Sequence, residues 1–182
     1  ERGETMKLRH LFFACSGVFV MMFSLLLLVV IVFSDEEDGG SGGNLIYGGV
    51  SVSQEVLAHK PMLEKYAREY GIEEYLNVLL AIIQVESGGT LEDVMQSSES
   101  LGLPPNSLST EESIKQGCKY FSELLAAAET KGCDLNSVIQ SYNYGGGFLD
   151  YVAGRGKKYT FELAESFARD KSGGKKVTYT NP

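Results

Sequence analysis

The chain has no tryptophan, and only three cysteines, two histidines and four prolines stand among its 182 residues. The histidines, His10 and His59, are far apart and neither belongs to a cluster of ligand type, so the sequence implies no metal and no cofactor. Only His59 lies beyond the apolar N-terminal run. No serine or cysteine nucleophile pattern accompanies it, which excludes a Ser-His or Cys-His hydrolase. No glycine-rich loop follows a strand pattern, so no nucleotide site is expected. Positive charge is scarce as well: from Ser51 to Pro182 there are 13 Lys and Arg against 18 Asp and Glu, a balance of −5. With no basic stripe, a nucleic-acid partner is excluded.

The few cysteines do not form a disulfide framework. Glu111 to Glu129 reads as one helix, which at about 1.5 Å per residue separates Cys118 from the turn holding Cys133 by roughly 15–20 Å. A disulfide needs Cα atoms within about 7 Å, so both are read as small apolar residues.

Charge is missing altogether from Leu11 to Phe33, "LFFACSGVFVMMFSLLLLVVIVF". A bilayer-crossing helix needs about 20 apolar residues, and a cleaved signal has a shorter apolar region of about 7–15. Residues 11–33 are therefore expected to be a single-pass transmembrane anchor. Lys7 and Arg9 precede the run and Asp35 to Asp38 follow it, which puts residues 1–10 in the cytoplasm and the remainder outside the cell membrane. Residues 34–50, with "DEEDGGSGGN", read as a flexible acidic and Gly-Ser linker. The folded domain is expected over 51–182 and to continue slightly past Pro182.

That domain reads as mostly α. Ser53 opens a first helix with Val56, Leu57, Leu63, Ala67 and Tyr70 on one face, and Gly71 ends it. Glu73 to Ser87 is apolar nearly all round, as in a central buried helix, and Gly88-Gly89 stops it. Asp93 to Ser98 suggests a helical turn, and "GLPPN" a loop. Ser109 and Glu112 form a capping box before a long helix with Ile114, Cys118, Phe121, Leu125 and Ala128 inward. Asp134 caps a fourth helix carrying Val138, Ile139 and Tyr142. Phe148 to Val152 and Thr160 to Arg169 follow, the latter with Phe161, Leu163, Ala164 and Phe167. No strand alternates convincingly.

One carboxylate is out of place. "LLAIIQVESGG" runs from Leu79 to Gly89, and Glu86 sits where a core helix ends. An unpaired charge there is unfavourable. Burial and the negative end of the helix dipole both favour its protonated form, as suits a general acid working near neutral pH. The plain alternative is a solvated or Lys-paired helix-end Glu.

Three further segments follow in order: "DVMQSSES", "QGCKYFSELL" and "IQSYNYGGGFLDYV". Together with "QVESGG" they resemble the goose-type lysozyme and soluble lytic transglycosylase superfamily, and most of all the lysozyme-like domains of cell-wall hydrolases on Gram-positive conjugative elements. The resemblance covers about Val50 to Pro182. It implies cleavage of the β-1,4 bond between N-acetylmuramic acid and N-acetylglucosamine in peptidoglycan glycan strands. It also implies a role in opening the wall for a conjugation or type IV secretion apparatus. Glu86 matches the general acid, and Ser87, Gln96, Tyr142 and Asn143 match residues lining the sugar cleft.

This chain has Asp93-Val94 where the superfamily places Gly-Leu, and Ser97 where it places an apolar residue. Ser97 is accordingly counted with the cleft, and Tyr144 as a wall for sugar stacking or a lid. Asp93 and Glu99 are the candidates for a second carboxylate, against the reading that they cap or solvate a loop. Tyr142 and Asn143 also suit a core position and a helix end. An inverting hydrolase needs a second carboxylate to activate water, whereas a lytic transglycosylase does not; the polar Ser97-Ser98-Glu99 favours the hydrolase. A non-catalytic wall-binding assembly module is the reading from another class.

Overall fold

The computed structural model describes residues 45–47 and 50–173. Residues 1–10 and 11–33, read as cytoplasmic end and anchor, lie outside the described residues, as does most of 34–50.

Two short strands stand where none was expected. β1 (Leu45–Tyr47) pairs antiparallel with β2 (Val50–Val52), Leu45 opposite Val52 and Tyr47 opposite Val50. Val52 is fully buried and β2 packs on the central helix. Three-residue strands carry too little alternation to register as a period-2 pattern.

The first expected helix is two. α1 (Gln54–Ala58) begins at Ser53, whose hydroxyl accepts from the Val56 N–H. α2 (Lys60–Glu69) starts after His59, with Pro61 in its first turn. Proline has no N–H to continue the α1 ladder and favours the first turn of a new helix. Residues Glu73–Tyr75 form a 3-10 turn that leads into α3 (Leu76–Glu86). Val78 to Ile83 are all buried in sequence, so α3 is enclosed on every side.

α4 (Thr110–Lys131) is the spine, about 33 Å long at 1.5 Å per residue. Its capping box is formed as expected, the Ser109 N–H donating to Glu112 at 3.0 Å. α2, α5 and the 3-10 turn at Ser97–Leu101 pack along it. α5 (Leu135–Tyr144) is capped by Asp134, which accepts from the Ser137 N–H at 3.0 Å and from the Tyr159 N–H at 3.1 Å. α6 (Gly147–Ala153) and α7 (Phe161–Lys171) follow. Phe161 is 46% exposed rather than inward, because it is the first residue of α7 and the buried face runs through Ala164 and Phe167.

The main core gathers α2 to α5 around Leu79, Ile82, Ile114 and Phe121, and a smaller aromatic one joins Phe148, Val152, Ala164 and Phe167. Cys118 and Cys133 are free thiols, as read from their spacing. Burial pushes the Cys118 thiol up to about 12.

Candidate functional site

α3 ends at the residue that the sequence singled out. The Ser87 N–H donates to the Ile83 carbonyl and the Gly88 N–H to the Gln84 carbonyl, both at 3.1 Å, closing the last turn around Glu86. The chain then reverses through Gly88 and Gly89, at φ +60° and +79°, angles that favour glycine. Ser87 fastens the turn to the next segment: its hydroxyl donates to the Val94 carbonyl at 2.7 Å and accepts from the Gly89 N–H at 3.0 Å.

That next segment is built around Asp93. Its carboxylate is fully buried and accepts from the Ser97 N–H at 2.9 Å, the Ser98 N–H at 3.2 Å and the Ser113 hydroxyl. Asp93 thus caps the 3-10 turn Ser97–Leu101 from behind, which is why that turn starts at Ser97 rather than at Asp93. Between them Gln96 takes a left-handed conformation, φ +46°, one that a non-glycine residue holds only when its surroundings fix it. Its amide donates to the Asp93 carbonyl at 2.8 Å and to Asn106 at 2.7 Å.

The third segment arrives on α5. Tyr142 is 8% exposed and its hydroxyl donates to the Met95 carbonyl at 3.1 Å. It passes over Gly117, where a Cβ would stand 2.5 Å from Met95 Sδ and 2.9 Å from the Tyr142 oxygen. Only glycine at mid-α4 lets the two segments come this close. Burial first, and then the nearby Glu86, push the Tyr142 hydroxyl well above its ordinary value, so it stays a donor.

These pieces enclose a cleft of about 260 Å³. Of the residues named from sequence, Glu86, Gln96, Ser97, Glu99, Tyr142, Asn143 and Tyr144 line it; Ser87 and Asp93 do not and instead hold its floor in place. One face of the Tyr144 ring is taken by Phe167, stacked at 5.6 Å. Sequence reasoning missed Ser100, Tyr120 and Gly145, which complete the lining. Tyr120 lies three residues after Gly117, on the same helix face, and its ring tilts against Tyr142 at 5.5 Å. That spacing was a signal available in the sequence.

Glu86 is half-buried: the cleft reaches one side of it while the carboxyl is wrapped in protein. Its pKa is pushed up to about 8, by burial first, then by Glu99 and Asp93; no hydrogen bond contributes. The site therefore pairs a carboxyl that is protonated at neutral pH with Glu99, an exposed acid on the same cleft. That is the equipment for giving a proton to a leaving oxygen while a second carboxylate faces the water side. A larger groove of about 520 Å³, by Tyr70, Tyr75 and Leu125, offers only the exposed acids Glu74 and Glu129. No group of three or more His, Cys, Asp or Glu suited to a metal occurs among the described residues.

A family profile described as lysozyme-like matches residues 53–182. The bifunctional muramidase/DL-endopeptidase CwlT of Bacillus subtilis is 44% identical over 124 residues, 68% of this chain and 37% of that protein. The uncharacterized membrane protein YocA of the same organism is 39% identical over 118 residues, 64% of this chain and 52% of its own length. Against the crystal structure of a lipoprotein-like NLP/P60 family protein from Staphylococcus aureus the TM-score is 0.71 with 74% identity, over 72% of this chain and 44% of that one. The chain spans about half or less of the length of these relatives.

Proposed function

This chain belongs to the lysozyme-like family, and on that premise we propose that it is a peptidoglycan muramidase, cutting the β-1,4 bond between N-acetylmuramic acid and N-acetylglucosamine with Glu86 as general acid. The observation that carries the reading is the Glu86 carboxyl, at a helix end in the cleft with its pKa pushed up to about 8. An ordinary Glu, near 4.5, is almost wholly ionised at neutral pH and has no proton to give. Glu86 keeps one. It passes it to the glycosidic oxygen as the bond to the sugar's anomeric carbon breaks.

Water then attacks the anomeric carbon, and its proton must go to a base. Asp93 has both oxygens occupied behind the cleft floor, which leaves Glu99, on the open side, for that role. Ser97 and Ser100 line the cleft with it, their hydroxyls donating to the Ser113 and Ser97 carbonyls, and Gln96, whose amide hydrogens go to Asp93 and Asn106, has its side-chain oxygen left to accept from a sugar hydroxyl. A lytic transglycosylase would dispense with the second carboxylate, since the muramic 6-hydroxyl attacks in place of water and Glu86, ionised after giving up its proton, takes the proton of that hydroxyl. Mass spectrometry of products released from isolated peptidoglycan separates the two. Reducing muramic ends are expected; predominant 1,6-anhydro ends, lighter by one water, would overturn the hydrolytic step and keep the cleavage.

The proposal extends to place and partners. Residues 11–33 anchor the chain once in the cell membrane and hold the domain outside, where it thins the wall for a conjugation or secretion apparatus. The uncharged run and its flanking charges support the anchor, and one relative is called a membrane protein. No helix among the described residues is long and apolar enough to cross a membrane, and residues 11–33 lie outside them. Protease added to wall-stripped cells should remove the domain and spare the N-terminal segment. Release into the medium without protease would point to a cleaved signal.

A further inference from the structure

We propose that His59 and Ser53 are positioning residues for Glu86: from the two ends of α1 they grip the Gly88-Gly89 turn and so fix how the acid enters the cleft. The inference rests on the general-acid reading of Glu86 and extends it to residues with no place in the cleft lining.

Among the described residues burial and the neighbouring Glu99 and Asp93, rather than a hydrogen bond, act on the Glu86 carboxyl, so its direction depends on the backbone that carries it. That backbone is held at three points. Ser87 ties it to Val94 on the cleft side. On the far side, His59 Nε2 lies 2.9 Å from the Gly89 carbonyl, an arrangement that requires the ring nitrogen to carry its hydrogen and donate. The Ser53 hydroxyl donates to the Gly88 carbonyl at 3.3 Å, and the Ser53 N–H donates to Gln84 Oε1 at 2.7 Å. The turn is pressed onto α1 so closely that a Cβ on Gly89 would stand 2.7 Å from the Glu55 carbonyl carbon and the Val56 nitrogen. Both acceptors, Gly88 and Gly89, lie just past the end of α3 and its C-cap Ser87, where the chain has no helical ladder to hold it.

Two consequences distinguish positioning from plain stability. A loosened turn lets Glu86 tilt toward solvent, so its orientation and its burial fail together while the sugar-binding wall on α5 is untouched. Ser53 also directly follows β2, so its bonds to Gln84 and Gly88 tie the chain leaving that strand to the turn of the acid.

The test uses the full chain. His59→Ala removes the donor; His59→Gln keeps an N–H at similar reach. His59→Ala should lower kcat on isolated peptidoglycan about tenfold with KM little changed, as expected when a reacting group is misplaced and binding is not. His59→Gln should restore most of the rate. Gln84→Met, which removes the acceptor for Ser53, should act in the same direction should His59→Ala fold poorly. Independently of turnover, carboxyl NMR should find the Glu86 titration midpoint lower in His59→Ala and raised again in His59→Gln. A lowered melting temperature with kcat and midpoint unchanged would overturn the inference. A wild-type chain that cuts no glycan, with the midpoint still falling in His59→Ala, would refute the muramidase reading and leave the positioning role standing.

Discussion

The Tyr142 hydroxyl and the Met95 carbonyl meet at 3.1 Å over the one glycine of mid-α4. Through that contact a helix end and a loop, far apart in sequence, become adjoining walls of one cleft. A Cβ at Gly117 would clash with both partners, at 2.5 Å from Met95 Sδ and 2.9 Å from the Tyr142 oxygen.

Gly117→Ala should therefore destabilise the domain by about 1–3 kcal/mol, the usual range for overpacking a filled interior. It should also reduce activity more than stability at temperatures where the fold persists, since Met95 carries Gln96. Denaturant unfolding and turnover on the same preparation check both.

Asp93 and Glu99 should part company under mutation. Asp93→Ala strands three buried donors, and leaving such groups unpaired costs about 1–3 kcal/mol each at most; a loss of roughly 3 kcal/mol or more in unfolding free energy is expected. Glu99→Gln should leave stability nearly unchanged and slow hydrolysis on the order of 100-fold. Equal destabilisation by the two would remove the distinction drawn between floor and base.

Much of this was legible in the residues because the signals are local. Ser109 with Glu112, Asp134, and Thr160 each cap a helix through atoms three positions away, so sequence spacing alone marks them. Glu86 was legible for the same reason, as a charge ending an apolar helix. What escaped depends on long-range packing. The division of roles between Asp93 and Glu99 turns on Ser113, on another element. Tyr120 enters the cleft beside Tyr142, against which its ring tilts, through the packing of α4 on α5. The hairpin Leu45–Tyr47 with Val50–Val52 is too short to show a period, and the break at His59 was hidden because Val56, Leu57, Leu63 and Ala67 stay in phase across it. Pro61 was the visible clue.

Glu86 should also write itself into the pH dependence. Its folded pKa of about 8 lies above the ordinary 4.5, so between those values the folded state binds more protons than the unfolded one. Stability from this group is full below about 4.5, falls as pH rises, and levels off above about 8. The total is on the order of a few kcal/mol. Glu86→Gln should flatten that slope and gain most at pH 8–9, measured as melting temperature against pH. Activity of the wild type should fall on the alkaline side as Glu86 loses its proton near pH 8.

The most direct test is turnover of isolated peptidoglycan by Glu86→Gln beside the wild type near pH 6, with circular dichroism to establish that both are folded. Gln is nearly isosteric and has no proton to give, so the account predicts a folded protein with at least about a 100-fold loss of glycan cleavage. A folded Glu86→Gln that cuts within a few-fold of the wild type would contradict it.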